Sequence, residues 1–215
     1  MPTLPASGQP PLDPLDELSA TDLKVLATAA GVAVVVAGFT WLWRWDKRRR
    51  LRAARTAAVT RCGFEHLQDV LVPDGQGGVL HVDFLLLTAR GIMVVDLRDI
   101  SGNIFGGDQM SEWTVMQRAH RHTFVNPQTG LYDRVAAVRA LAQDLPVEGF
   151  IVFTNRGQFP KGLPRHVVML DSLAAEFPAG DRLSVSSVLD PWLPGWERIK
   201  AQVKPSRLAD PKPAI

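Results

Sequence analysis

Hydrophobic and polar positions change rhythm twice along this chain. From Val25 to Trp43 the sequence VLATAAGVAVVVAGFTWLW runs for about nineteen positions without a charge, and at helical rise that length covers the hydrocarbon core of a bilayer. Trp41, Trp43 and Trp45 stand at one end, where amphipathic rings prefer the headgroup level, and Arg44, Lys47, Arg48, Arg49, Arg50, Arg52 and Arg55 follow directly. The other flank carries Asp13, Asp16, Glu17 and Asp22 against Lys24. The positive-inside rule then predicts a transmembrane helix over 23–45 in a single-pass cell-membrane protein, N-terminus outside and C-terminal domain cytoplasmic. The acidic start and the basic run after the apolar stretch argue against a cleaved signal peptide. Gly31, Gly38 and the valine run argue against a buried soluble helix.

Residues 1–22 are proline-rich and aperiodic, and read as a disordered extracytoplasmic tail. Residues 46–62 read as a basic juxtamembrane helix that continues the span and lies near anionic lipid.

After Cys62 the period shortens to that of extended chain. Phe64 to Val72 alternates loosely, Asp74 to Gly78 supplies a hairpin connection, and Val79 to Thr88 predicts a strand. The runs Phe84–Leu87 and Ile92–Val95 are continuous rather than alternating, which predicts central strands covered on both faces. Ser101-Gly102-Asn103 and Gly106-Gly107 read as breaks, Glu112 to Arg118 as a strand, and His120 to His122 as a polar turn. Asn126-Pro127 opens a helix with Leu131, Val135, Val138 and Leu141 on one face. Phe150–Phe153 and Val167–Leu170 follow as strands, Asp171-Ser172 as the cap of a short helix ending near Phe177, and Trp192–Val203 as a terminal helix. The order predicts an α/β sandwich around a mixed central sheet over 63–178, with a C-terminal helix and proline-rich tail over 179–215.

Composition sharpens this picture. The chain has 215 residues, room for one ordinary core, and a formal charge of +2. That charge is concentrated between Arg44 and Arg61, where eight basic residues face Asp46 alone. The remainder after Arg61 is slightly acidic, so no broadly cationic surface offers itself to nucleic acid. The single cysteine, Cys62, excludes an intramolecular disulfide and a cysteine zinc site.

Three stretches share a pattern: LHVDFLLLTARGIMVVDLRDISGNIFG from Leu80 to Gly106, the following SEWTVM, and HTFVNPQ from His122 to Gln128. Together they resemble the NERD (nuclease-related domain) family, itself similar to restriction-endonuclease-like nucleases, over about Phe64 to Thr154. The resemblance implies a restriction-endonuclease-like fold and action on the phosphodiesters of DNA or RNA. It matches Asp83 to the family's aspartate on the second strand, and Asp96, Leu97 and Arg98 to the Glu-x-Lys that ends the third. On that reading Asp83, Asp96 and the Leu97 carbonyl would hold Mg²⁺ or Mn²⁺, and Arg98 would take the lysine's place beside the phosphate.

The chain also departs from the pattern. Asp96 is one methylene shorter than glutamate, and the guanidinium of Arg98 stays protonated and cannot act as a base. Lys47 to Phe64 lacks the family's helical glutamate, and Gly130 stands where a glutamine is usual. The expectation is at most a weak or divergent metal-dependent nuclease; the alternative is a catalytically inactive nuclease-fold module for binding or scaffolding, with an Asp96–Arg98 salt bridge where a metal once sat. His81, two residues before Asp83, reads as a strand histidine able to orient the site, and Trp113 reads as core.

Overall fold

The structure is a computed structural model; it describes residues 20–143, 145–178 and 186–206. Most of both expected tails, 1–19 and 207–215, lies outside the described residues. The chain divides at Arg52/Ala53 into two compact units.

The first unit contributes most of helix α1 (Ala20–Thr60). Its described side chains are exposed, apolar ones included: Val34 at 72%, Phe39 at 69%, Trp41 at 66%. Among the described residues, no helix is long and apolar enough to cross a membrane, so the structure does not carry the expected span. Helical continuity through the basic stretch is carried. Lys47 lies over the Trp43 ring, Arg49 over Trp45, and Arg50 pairs with Asp46 at 2.8 Å, one helical turn away.

In the second unit come strands β1 (Glu65–Pro73), β2 (Val79–Thr88), β3 (Gly91–Arg98), β4 (Gly102–Phe105), β5 (Glu112–Gln117) and β6 (His120–Val125). Helix α2 (Pro127–Ala142) follows, then β7 (Val147–Phe153), β8 (Gly157–Gln158), β9 (Val167–Met169) and α3 (Leu170–Glu176). The described chain closes with α4 (Ser186–Leu189), α5 (Leu193–Gln202) and β10 (Lys204–Pro205).

Six strands form a mixed sheet in the order β10-β1-β2-β3-β7-β9. Strands β1, β2 and β3 run antiparallel, and β7 and β9 add in parallel. The continuous apolar runs are indeed central. Leu85, Leu87, Ile92 and Val94 face one core with Leu131 and Val138 of α2 and Trp196 and Ile199 of α5. Phe84, Leu86, Met93 and Val95 face another, with Val59, Cys62, and Leu173 of α3. Alternation along each strand therefore feeds two cores, and a run with no polar residue satisfies both.

The single sheet expected from sequence is two. β6-β5-β4-β8 form a second sheet. Its strand β4 occupies the segment read as a glycine break, because Gly102 enters at φ +116 and Ile104 then drops into the first core. The predicted turn at His120–His122 is also corrected. The chain reverses at Arg118, φ +55, so both histidines lie in β6, exposed and stacked with ring centroids 6.4 Å apart. Trp113 is fully buried, as expected, and packs against Phe124, Phe153 and Phe159.

Asn126 caps α2 by accepting from the Gln128 N–H at 2.9 Å, with Pro127 in the first turn. Helix α3 begins a residue earlier than expected and has no side-chain cap; Asp171 lies inside its first turn.

Candidate site at the ends of the central strands

Strands β2 and β3 pair as the antiparallel neighbours that the site requires. Phe84 pairs with Val95, and Asp83 and Asp96 each lie one residue beyond that pair. The two carboxylates then take different partners. Asp83 accepts the Leu97 backbone N–H at 2.9 Å. Asp96, with its side chain 2% exposed, is held by Arg98 at 2.7 Å and by Arg134 at 3.4 Å. Arg98 reaches it because residues two apart on a strand share a face. Arg134 reaches it from α2 and also donates through Nε to the His81 carbonyl at 2.5 Å.

This arrangement does not fit the cage implied by the resemblance. Two carboxylates and two guanidiniums already sum to zero, so Mg²⁺ would add two uncompensated charges in a largely desolvated place. Leu97 meets Asp83 through its N–H rather than its carbonyl. Asp96 lies against cations that would have to leave before a metal could enter.

Arg134 was not singled out from sequence. It belongs to the polar side of an amphipathic helix, and its partners lie 38 and 53 positions away, beyond any local pattern. Asp99, just past β3, was missed for the same reason. It accepts from Arg55 at 2.6 Å, the Thr154 hydroxyl at 2.8 Å and Arg156 at 3.2 Å. Burial alone would raise its pKa, but the Thr154 hydrogen bond and the two arginines outweigh that and hold it below the usual carboxylate range.

The segment Asn126-Pro127-Gln128 has a structural role. Buried Gln128 donates to Asp108 and to the Arg165 carbonyl, both at 2.8 Å, and so ties the start of α2 to two loops. The Gln128 hydrogen bond, then the Arg165 N–H, lower the pKa of Asp108.

A second constellation lies on β1 and β2. The ladder pairs Gln68 with Phe84 and Val70 with Val82, but Asp69 between them has φ +50. Alternation slips at the same level on both strands: Leu67 and Val70, like Val82 and Leu85, all face the first core. There the imidazole of His81 stands between two carboxylates, Nδ1 at 3.4 Å from Asp83 and Nε2 at 3.5 Å from Asp69. Potential ligand atoms of Asp69, His81 and Asp83 all lie within 4.8 Å of one another. Sequence had marked His81 and Asp83; Asp69 gave no signal, because a kink in a strand is invisible to composition.

A family model described as the nuclease-related domain, NERD, matches residues 47–154, about half of the chain. No curated protein and no solved structure matches it.

Proposed function

Because the chain belongs to the NERD family, we propose that it is a nuclease-fold module that binds nucleic acid without cutting it at the Asp83–Asp96 pair. The observation that carries this is the double grip of Arg98 and Arg134 on Asp96. Metal-assisted hydrolysis needs carboxylates open to a dication that lowers the pKa of a water, and here guanidiniums take that position. Nucleic acid is the ligand class suggested by the family; Arg98, with its side chain 26% exposed, is the group best placed to meet a phosphate.

The test uses the purified full chain with single- and double-stranded DNA and RNA. Expected is salt-sensitive binding with no products in Mg²⁺ or Mn²⁺, and affinity unchanged by chelator. Cleavage that Asp83→Ala abolishes would overturn the reading and restore a weak metal-dependent nuclease.

The same proposal places the module at a membrane, N-terminus outside and domain in the cytoplasm. It counts the apolar stretch from Val25, including residues 26 and 27, whose side chains are not described. The support is the exposed ring of Val32, Val34, Val35, Phe39 and Leu42 followed by the basic block, a surface that water solvates poorly and lipid would cover. Reporters fused at each end should be active on opposite sides, and carbonate at high pH should leave the protein in the membrane pellet. Extraction by carbonate would refute the anchor without touching the nucleic-acid reading.

A further inference from the structure

We infer that Asp69, His81 and Asp83 form a binding site for one transition-metal dication of the zinc class, displaced by a strand from the Asp83–Asp96 pair. The inference does not rest on nucleic-acid binding.

The geometry comes first. Zinc-class ions hold imidazole nitrogen and carboxylate oxygen at about 2.0–2.2 Å, so ligand atoms at the corners of a tetrahedron around one ion are roughly 3.3–3.6 Å apart. One ligand atom from each of the three groups lies within 4.8 Å of the others, so the side chains close by at most about 1.5 Å to reach such a tetrahedron, a rotation of exposed or half-buried carboxylates. They sit on adjacent antiparallel strands, so the backbone fixes their spacing. The kink at Asp69 takes that residue out of the regular ladder at the level of Asp83.

The histidine supplies the second observation. His81 Nε2 is shielded from solvent and has no hydrogen-bond partner among the described residues; its approach to Asp69 at 3.5 Å fails as a hydrogen bond. A shielded imidazole nitrogen in that state is unfavourable, and a coordinated ion would satisfy it. Coordination through Nε2 needs the lone pair there, so the ring proton sits on Nδ1, and Asp83 Oδ1, 3.4 Å from Nδ1, must turn from that nitrogen toward the ion.

Charge and ligand chemistry select the ion. Asp69 adds a carboxylate beyond the two that Arg98 and Arg134 balance, and an imidazole in the set favours Zn²⁺, Co²⁺ or Mn²⁺ over Mg²⁺ and Ca²⁺. The surroundings hold the groups in place: Leu97 N–H fixes one oxygen of Asp83, and Arg134 fixes the backbone of His81 through its carbonyl. The Asp69 side chain is 44% exposed, so three protein ligands would leave a position open to water.

The experiment titrates untagged full chain with Co²⁺ and follows its visible d–d bands, with Zn²⁺ as competitor. Expected is one Co²⁺ per chain, displaced by Zn²⁺, with affinity reduced at least about tenfold in both His81→Ala and Asp69→Asn. Asparagine keeps the size of aspartate and tolerates positive φ, so Asp69→Asn reads ligation rather than folding. Asp96→Asn should leave the bands and affinity unchanged. Absence of stoichiometric binding, or equal affinity in wild type and Asp69→Asn, overturns the site. Binding lost in Asp96→Asn but kept in Asp69→Asn would instead put the ion between β2 and β3, overturning both this site and the arginine-closed reading above.

Discussion

Asp96 and Asp69 lie on two strands of one sheet, separated by β2, and the fold treats their charges in opposite ways. The Asp96 side chain is 2% exposed and lies between two guanidiniums; that of Asp69 is 44% exposed and faces an imidazole, with the Gln68 amide donating to its other oxygen at 3.3 Å. A carboxylate removed from water must find compensating charge within the protein, and the arginines that provide it exclude other cations. A carboxylate half in water keeps most of its solvation and remains available to an ion. On the reading proposed above, Asp96 serves as a structural joint, while Asp69 keeps the features of a ligand.

The comparison breaks most visibly at Arg134. Replacing it by methionine removes one of the two guanidiniums on Asp96 and frees the His81 carbonyl, and the expected cost in chemical denaturation of the full chain is about 2–4 kcal/mol. Asp69→Asn, by contrast, should change stability by less than about 0.5 kcal/mol without metal. A triple replacement by apolar residues, Asp96→Leu with Arg98→Met and Arg134→Met, sharpens the point. It removes the three charges of this joint together and should recover most of the loss. If Arg134→Met costs no more than Asp69→Asn, the joint is not holding the sheet to α2.

The two acids also differ in how far the sequence revealed them. Asp96 ends a run of four apolar residues that had to be a central strand, so its burial was legible, and Arg98 two residues on was its evident partner. Helix α2 was legible from Asn126-Pro127 and the spacing of Leu131 and Val138. Strands β4 and β6 were not. Their residues are glycine-rich or polar because the second sheet buries few of them, and little hydrophobic periodicity remains to read. The kink at Asp69 and the reach of Arg134 are products of tertiary packing. A local pattern gives Asp69 as an ordinary polar strand position and Arg134 as a solvated helix face.

Asp99 lies between the extremes, with its side chain 33% exposed, and gives a small, pH-dependent effect. Burial would raise its pKa, but the hydrogen bond from Thr154 and the charges of Arg55 and Arg156 bring it below the usual value. A carboxylate whose folded pKa lies below its unfolded one binds fewer protons folded than unfolded, so its contribution is fully present above the unfolded pKa of about 3.9. It is lost as pH falls through the folded value. The stability difference between wild type and Asp99→Asn should be flat above about pH 5 and shrink below pH 4. Its pH-dependent part should stay under about 1 kcal/mol, because a third of the group is in water and the pairing is screened by salt. Asp108 is lowered as well, by Gln128 and the Arg165 N–H, so the variant should keep part of the acid sensitivity. A difference that instead grows toward low pH would mean that Asp99 is harder to ionise folded than unfolded, and the arginines at this end of β3 would not be acting as its counter-charge.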